Sequence, residues 1–408
     1  MEEFRQSQLN VGTLGHVDHG KTTLTKAITG VWTDRHSESI KRSMTIKLGY
    51  ADATIKKCEK CEGASAYTTG DKCQNCGGKA VPVRRISLLD APGHETLMAT
   101  AIAGSNIIDA VLFVIAATEP CPMPQTKEHL MLLNVLNVKH IVIAQTKIDV
   151  VGKEKAEVHY KQIKDFVKGS VAENAPIIPV VANKNINIDA ILEMIANIPI
   201  PDRNVNEEPF MYIVRSFDAN KPGTKIEKLI GGIIGGSIVK GKFKVGDEIE
   251  IRPGINIQKG KDSAKKDMHV SAKTIIESIS TDTGKINEAI AGGLIGLATD
   301  LDPSFTKADS LTGNVVGKIG KLPDSVIELH MEYHIFDREG VAKQPIVLKE
   351  PLLLGIGTAT VVGFVEETKK NRLKVRLRKP VCALKGSKAS ILRNMQQRWR
   401  LAGYGVIE

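Results

Sequence analysis

The sequence has no apolar run that approaches the roughly 20 residues needed to cross a bilayer. Its first residues, Met1-Glu2-Glu3-Phe4-Arg5-Gln6, lack the basic start and apolar core of a secretion signal. No internal repeat or low-complexity tract is evident either. These absences argue against a secreted or membrane-spanning protein, and we expect a cytoplasmic protein with no membrane partner.

Cysteine is scarce, with six in 408 residues, and in a cytosolic chain disulfides are rare. Four of the six form two Cys-x-x-Cys pairs, Cys58 with Cys61 and Cys73 with Cys76, separated by eleven residues. Four thiolates in two tight turns suit tetrahedral Zn²⁺ at about 2.3 Å, with no coordination position left for catalysis. We therefore predict a structural Zn²⁺ site; the alternative is four unligated thiols.

Acidic residues are outnumbered by basic ones, which leaves a formal net charge of +10. Such a balance favours a polyanionic partner. Composition does not distinguish a nucleic-acid partner from a solvated, lysine-rich surface, so both interpretations stay open.

The chain divides into an α/β part and an all-β part. From Leu9 to about Ile200, apolar strands alternate with helices, which predicts a mostly parallel sheet. Three prolines among polar residues mark a linker at Ile198–Pro209. Beyond it, short strands and glycine-rich turns predict all-β barrels or sandwiches, divided near Gly320–Asp324. The predicted domains are 1–202, 207–321 and 324–408, with the zinc insertion at about 56–82.

Within the α/β part, hydrophobic periodicity predicts individual elements. The predicted strands are Asn10–Leu14, Arg85–Leu89, Ala110–Ala116, His140–Gln145 and Ile177–Val181. The predicted helices are Lys21–Thr29, Glu95–Ala103, Gln125–Leu136, Lys153–Lys168 and Ile188–Ile195.

Residues Gly15–Thr22 fit the phosphate-binding consensus G-x-x-x-x-G-K-[ST] between a predicted strand and a predicted helix. Glycines let the backbone N–H groups converge on phosphate oxygens, and the helix N-terminus adds positive potential. In such a loop Lys21 reaches the β- and γ-phosphates, and the Thr22 hydroxyl ligates Mg²⁺. This context outweighs the alternative of an accidental glycine-rich turn, but it does not choose between ATP and GTP.

Thr146-Lys147-Ile148-Asp149 follows a predicted strand and resembles the guanine-reading [NT]-K-x-D motif of GTPases. The Asp149 carboxylate can accept hydrogen bonds from guanine N1 and N2, which adenine does not offer. The Lys147 stem can lie across the base, and Thr146 has a shorter arm than the commoner Asn. The motif favours guanine, against the alternative of a solvated loop.

Asp90-Ala91-Pro92-Gly93-His94 closes another predicted strand and matches the Asp-x-x-Gly signature of GTPases. There Asp90 holds Mg²⁺ through water, and the Gly93 N–H meets the γ-phosphate. Upstream, Arg42–Ile46 resembles the R-G-[IM]-[ST]-I switch with Ser43 in place of Gly. Val181-Ala182-Asn183 stands where Ser-Ala-Leu is usual, and the Ala182 N–H can contact guanine O6.

A basic stretch lies at Glu366–Pro380, where three apolar residues alternate with three cations between Leu373 and Arg378. One strand over this stretch buries one face and presents positive charge on the other. The cations either contact phosphates or prevent pairing at a sheet edge.

Together these motifs resemble those of the translational GTPases, the relatives of elongation factor Tu. The cysteine insertion narrows the resemblance to the family of gamma subunits of archaeal and eukaryotic initiation factor 2. So do the segments Gly30–Asp34, Val214–Asp218, Asn220–Thr224 and Arg398–Gly405. The likeness runs from about Val11 to Glu408, and the compact length favours an archaeal member.

The resemblance implies a role for each motif residue. His94 is expected to orient the attacking water, and the other implied catalytic residues are Lys21, Thr22, Thr45 and Asp90. The implied Mg²⁺ ligands are Asp18, Thr22, Ser43, Thr45 and Asp90, and the implied Zn²⁺ ligands are the four paired cysteines. The implied contacts to GTP or GDP are Asp18, His19, Gly20, Lys21, Thr22, Thr23, Gly93, Thr146, Lys147, Asp149, Val181, Ala182 and Asn183.

The resemblance also implies an α/β P-loop GTPase domain followed by two β-barrels. It implies that the GTP state binds methionylated initiator tRNA and delivers it to the small ribosomal subunit on mRNA. Alpha and beta subunits are implied partners, on the second domain and the GTPase domain respectively. We expect slow hydrolysis without a GTPase-activating partner, because no arginine in the motifs is placed as a finger.

Two alternatives stay open. An elongation-type carrier of aminoacyl-tRNA or selenocysteinyl-tRNA shares the GTPase motifs, but the cysteine insertion and the Asn220–Thr224 segment argue against it. A non-hydrolysing RNA scaffold is suggested by the departures at Ser43, Thr146 and Val181. Multiple-turnover GTP hydrolysis with ribosomes, and its loss in a His94→Ala variant, would distinguish them.

Overall fold

The computed structural model describes residues 4–33, 49–90, 107–221, 223–225, 227, 229–257, 268–336, 345–395 and 397–408. The chain forms two compact units, Met1–Pro201 and Asp202–Glu408. Among the described residues, both units contain hydrophobic core clusters, and the second unit contains two separate ones.

The first unit contains a seven-stranded sheet. Its strands are β1 Leu9–Leu14, β2 Gly49–Cys58, β3 Tyr67–Thr68, β4 Ala80–Asp90, β5 Ala110–Ala116, β6 His140–Thr146 and β7 Ile177–Pro179. They lie in the order β3-β2-β4-β1-β5-β6-β7. Strands β4, β1, β5, β6 and β7 run parallel, whereas β2 and β3 pair antiparallel. Parallel strands place their carboxyl ends along one edge, where α/β sheets commonly bind ligands.

Five α-helices are described in this unit. They are α1 Lys21–Thr29, α2 Pro124–Leu136, α3 Ile148–Val151, α4 Lys153–Val167 and α5 Ile188–Ala196. Helix α1 follows Gly20 and ends at Gly30, both left-handed, and the Gly30 N–H donates to the Lys26 carbonyl. That ending is a glycine C-cap, in which the missing side chain permits positive φ.

The predicted α/β architecture is confirmed. Helix α1 and strand β5 have the predicted bounds, and α2, α4, α5 and β6 differ from prediction by one residue at one end. Strand β4 is longer than predicted, because its N-terminal half pairs with β2 to carry the cysteine insertion. The predicted helix Glu95–Ala103 lies outside the described residues.

The second unit begins with a barrel. Its strands are β8 Phe210–Phe217, β9 Ile233–Lys240, β10 Lys242–Lys244, β11 Glu248–Ile257, β12 Met268–Thr281, β13 Gly284–Ile286, β14 Glu288–Ile290, β15 Ile295–Thr299 and β16 Val315–Lys318. Six of them form a sheet in the order β11-β16-β8-β9-β15-β12, and pairing of β11 with β12 closes it. Strand β13 extends the sheet beyond β12, and β10 pairs with β14.

A second barrel follows, and it is also closed. Its strands are β17 Ser325–Ile335, β18 Pro351–Ile356, β19 Ala359–Lys369, β20 Arg372–Cys382, β21 Lys388–Met395 and β22 Arg398–Ile407. They lie in the order β17-β20-β19-β18-β21-β22. Closure leaves no free strand edge in this barrel.

The basic stretch, Glu366–Pro380, differs from the prediction of a single strand. It is two strands rather than one, because β19 ends at Lys369 and β20 begins at Arg372. Alternate residues of β20 from Leu373 to Leu377 are buried, as predicted. Strand β20 is no sheet edge, since it pairs with β17 and β19. Two of its cations are already paired, because Lys374 and Arg376 each contact Glu328 and Glu366.

Hydrogen bonds among the described residues connect the two barrels within the second unit. Arg252 Nη1 lies 3.2 Å from the carbonyl oxygens of Leu322 and Pro323 and from the Asp324 carboxylate, in the segment between the barrels. The Thr358 hydroxyl, in the turn between β18 and β19, donates to the Ile213 carbonyl of β8 at 2.8 Å and is buried. These contacts fasten the second barrel to the first.

Candidate functional site

The phosphate-binding loop lies at the carboxyl end of β1, between β1 and α1. Gly15 has φ 149°, and a Cβ there would lie 2.1 Å from the carbonyl oxygen of Val114 in β5. Gly20 has φ 90° and precedes α1. Both positions therefore require glycine, for close packing in the first case and for a left-handed backbone in both.

Lys21 lies along the inside of this loop. Its ammonium donates to the carbonyl oxygens of Gly15 at 2.9 Å and of His16 at 2.7 Å. Burial lowers the pKa of Lys21 to about 8, while the carboxylates of Asp90 and Asp18 oppose the shift. A phosphate beside this amine would favour its charged form.

Asp90, the last residue of β4, is fully buried and joins three hydroxyl groups. The Thr22 and Thr33 hydroxyls each donate to Oδ2 at 2.7 Å, and the Thr13 hydroxyl donates to Oδ1 at 2.9 Å. A carboxylate beside the hydroxyl that follows the loop lysine is the oxygen donor set that Mg²⁺ prefers. The residues present therefore fit a magnesium ion.

The guanine motif lies at the carboxyl end of β6, beside the same loop. The buried Thr146 hydroxyl donates to the His19 carbonyl at 2.6 Å, so its short arm reaches the phosphate-binding loop. Lys147 has φ 58° and precedes α3, whose first turn contains Asp149. The Asp149 carboxylate pairs with the Lys184 ammonium at 3.0 Å.

The neighbouring loop carries the Val181-Ala182-Asn183 segment. Val181 is buried and forms backbone bonds with Ile186 in both directions. A 3₁₀ helix at Ala182–Lys184 follows, and it exposes Asn183. The salt bridge from Lys184 to Asp149 connects this loop to the guanine motif.

Several expected site residues lie outside the described residues, namely Ser43, Thr45, Gly93 and His94. Asp18 is described: it is exposed at the tip of the loop and has φ 60°. Thr23 lies in the first turn of α1 and is half-buried.

Sequence reasoning missed several residues of this site. Thr13 and Thr33 contact Asp90, Lys184 contacts Asp149, and Glu119 Oε2 lies 3.1 Å from His19 Nε2. Helix α2 adds Gln125 and His129, whose side chains accept from loop N–H groups. Of these residues, only Gln125 and His129 could have been found from the sequence, because polar residues four positions apart share one face of a helix.

The four paired cysteines come together at the end of the β2–β4 extension. Their sulfur atoms all lie within 4.8 Å of one another. Cys58 Sγ is 3.5 Å from Cys76 Sγ, and Cys73 Sγ is 3.8 Å from Cys61 Sγ. A tetrahedron of sulfurs about 2.3 Å from zinc has edges of about 3.8 Å, so the cluster fits Zn²⁺. Cys58, Cys73 and Tyr67 also join the core of the first unit.

No helix among the described residues is long and apolar enough to span a membrane.

Comparison with protein families gives two matches. Residues 6–200 match the elongation factor Tu GTP binding domain. Residues 327–407 match the C-terminal part of initiation factor eIF2 gamma. The first match covers the site described above, and the second covers most of the second barrel.

Two curated relatives extend the similarity over the whole chain. The translation initiation factor 2 subunit gamma of Methanococcus maripaludis is 49% identical over 413 residues, covering 100% of both chains. The protein of that name from Pyrococcus horikoshii is 50% identical over 410 residues, covering 99% of this chain and 98% of its own.

Among solved structures, the elongation factor SelB of Methanococcus maripaludis with the GTP analogue GppNHp matches with a TM-score of 0.73. It is 24% identical and covers 100% of this chain and 80% of its own. Bacterial selenocysteine-specific elongation factor EF-Sec has the same TM-score at 23% identity, covering 98% of this chain and 58% of its own. These likenesses show the fold alone. By its full-length relatives, the chain belongs to the translation initiation factor 2 gamma subunits, a family of translational GTPases.

Proposed function

We propose that GTP or GDP binds with Mg²⁺ at the carboxyl ends of β1, β4 and β6. Lys21 holds the β- and γ-phosphates, while Thr22 and Asp90 hold the magnesium ion. The observation that carries this assignment is the partly buried contact of 2.7 Å between the Thr22 hydroxyl and the Asp90 carboxylate. It joins the phosphate-binding loop to the strand that ends in the γ-phosphate signature.

Contacts to the guanine base and to a cation complete the proposed nucleotide site. Asp149 reads guanine, Lys147 covers the base, and the Ala182 N–H meets guanine O6, with Val181 and Asn183 beside it. The other loop contacts are Asp18, His19, Gly20 and Thr23. Asp18 also supports a cation, which fits its exposure at the loop tip.

The γ-phosphate switch rests on the family resemblance. His94 orients the attacking water, Gly93 meets the γ-phosphate, and Thr45 and the Ser43 carbonyl join Mg²⁺ only in the GTP state. Such a switch orders its loop while the γ-phosphate is present and releases it after hydrolysis. A His94→Ala variant should therefore bind GTP and fail to hydrolyse it on ribosomes.

The GTP state binds methionylated initiator tRNA and delivers it to the small ribosomal subunit, together with alpha and beta subunits. Hydrolysis at the start codon, stimulated by a GTPase-activating partner, releases the tRNA. Identities of 49% and 50% to initiation factor 2 gamma subunits over the whole chain support this role. The 23–24% identity to the elongation factors EF-Sec and SelB gives the elongation alternative no comparable support.

The four clustered cysteines hold a structural zinc ion. Four protein ligands fill a tetrahedral ion, which leaves no position for substrate. The metal stabilises the turns that carry the cysteines, because ligation is possible only when those turns are folded.

Binding of methionylated initiator tRNA tests the proposed role. The chain is measured with and without an added alpha subunit, under a non-hydrolysable GTP analogue and under GDP. We expect tight binding only with the analogue and none to an elongator aminoacyl-tRNA. Equal binding in both nucleotide states would favour the scaffold alternative. Preferential binding of elongator tRNA would instead indicate an elongation-type carrier of aminoacyl-tRNA.

A further inference from the structure

Helix α2 holds the phosphate-binding loop through two side chains. The Gly15 N–H donates to His129 Nδ1 at 3.1 Å in a buried contact. The Val17 N–H donates to Gln125 Oε1 at 3.4 Å. Gln125 and His129 are four residues apart, so they lie on one face of the helix. That face meets two N–H groups of the loop.

Gly15 is therefore held at both of its backbone polar groups. Its carbonyl oxygen accepts from Lys21 Nζ at 2.9 Å, while its N–H is taken by the His129 ring. The close approach to Val114 leaves no room for a side chain to fix this residue in another way. The position of the motif lysine thus depends on a backbone that the ring of His129 holds in place.

The His129 ring is suited to accept this hydrogen bond. Burial, together with the nearby Lys21, His16 and His19, lowers the pKa of His129 to about 3. The ring is neutral at neutral pH, with Nδ1 as the acceptor and the proton on Nε2. An imidazolium would have no lone pair to offer the Gly15 N–H. A fully buried, neutral histidine is thereby a fixed acceptor rather than a titrating group.

We propose that His129 is a positioning residue for the nucleotide, which holds Gly15 and through it Lys21 in the conformation that receives phosphates. Gln125 assists at Val17 through a longer bond. This inference rests on the assignment of Gly15–Thr22 as the phosphate-binding loop.

The dissociation rate of fluorescently labelled GDP tests this role. His129→Leu keeps an apolar side chain but leaves the buried Gly15 N–H without its acceptor. We expect dissociation to accelerate roughly 10- to 100-fold, the factor that a buried unsatisfied donor corresponds to. His129→Asn places an amide oxygen near the position of Nδ1, and it should return the rate to within about threefold of wild type.

His159 offers a matched control. It is also a buried histidine of the first unit, and its Nδ1 lies 3.0 Å from Gln145 Nε2 rather than near the loop. His159→Leu should lower the melting temperature and leave GDP dissociation unchanged. Should His129→Leu fail to fold, Gln125→Leu at a half-buried position carries the test, with an expected acceleration of about threefold.

Three results would overturn the proposal. One is a folded His129→Leu protein that releases GDP at the wild-type rate. Another is equal acceleration by His129→Asn and His129→Leu, which would assign the residue to packing alone. The third is equal acceleration by His159→Leu, which would indicate general loosening. A folded wild-type chain that binds no GDP would instead refute the assignment of the loop itself.

Discussion

Replacing Thr146 by Val removes one hydroxyl and keeps the shape of the side chain. That hydroxyl donates to the His19 carbonyl at 2.6 Å, and Thr146 is 2% exposed, so water has little access to replace it. Leaving a buried acceptor unsatisfied costs about 1–3 kcal/mol. We expect a total loss of about 1–2 kcal/mol, because a carbonyl tolerates the loss of one partner better than an N–H does.

This loss is divided between folding and nucleotide binding. The Thr146 bond fixes the His19 carbonyl within the phosphate-binding loop. If the loop keeps its conformation without nucleotide, the free energy of unfolding falls. If the loop relaxes and GDP must restore its conformation, the loss appears in affinity. The full 1–2 kcal/mol would then weaken GDP binding by about 5- to 30-fold.

Two measurements on the same variant separate these terms: a titration with GDP and unfolding by denaturant. Thr146→Ser retains the donor and should stay near wild type in both. Thr299→Val is a matched control, because the buried Thr299 hydroxyl donates to the Gly232 carbonyl at 2.7 Å within the first barrel. It should reduce stability without changing GDP affinity. Thr146→Val with unaltered stability and unaltered affinity would refute this reasoning.

Three further outcomes are expected. Gly15→Ala should abolish GDP binding in a titration, because the new Cβ would lie 2.1 Å from the Val114 carbonyl oxygen. Gly30→Ala is the control and should still bind GDP, because a Cβ at Gly30 would have nothing within 4 Å. Cys73→Ser should lower zinc content and speed amide exchange in the cysteine insertion while GDP affinity persists; unchanged exchange would count against a structural metal. His129 lowers stability below pH 6.5, because its pKa is about 3 when folded and about 6.5 when unfolded, so the unfolded chain takes up the proton first. At pH 5 this proton uptake lowers the free energy of unfolding by about 2 kcal/mol. Between pH 7.5 and pH 5, the wild type should therefore lose about 2 kcal/mol more of its unfolding free energy than His129→Asn does. Equal losses in the two proteins would contradict this prediction.

Local sequence patterns predicted the α/β part well. Helix α1 begins after a motif glycine and ends at Gly30, and both signals are readable in the sequence. The buried strand β5 is an uninterrupted apolar run, and β6 contains such a run at its centre, as expected of parallel strands. The proposed guanine motif begins at the end of β6, and the proposed magnesium ligand Asp90 ends β4, so the position of each at a strand end could be predicted from the sequence.

Contacts made across the sheet could not be predicted. Thr13 meets Asp90 only because β1 and β4 are parallel neighbours in one register. His129 meets Gly15 across 114 residues of chain. From the sequence, the β20 cations are predicted to form an exposed basic face, because alternation of apolar and charged residues indicates which side chains are exposed. The same pattern does not reveal that Glu328, on the adjacent strand β17, pairs with one of these cations. Such pairs depend on topology, which single-chain periodicity does not encode.

The fastening of the two barrels has a mechanical consequence. Arg252 bonds the segment between the barrels to β11, and Thr358 bonds the second barrel to β8. Rotation of one barrel about the linker would break these bonds, at a cost of about 1–3 kcal/mol each. A macromolecule that binds one barrel therefore also restrains the orientation of the other for as long as those bonds hold.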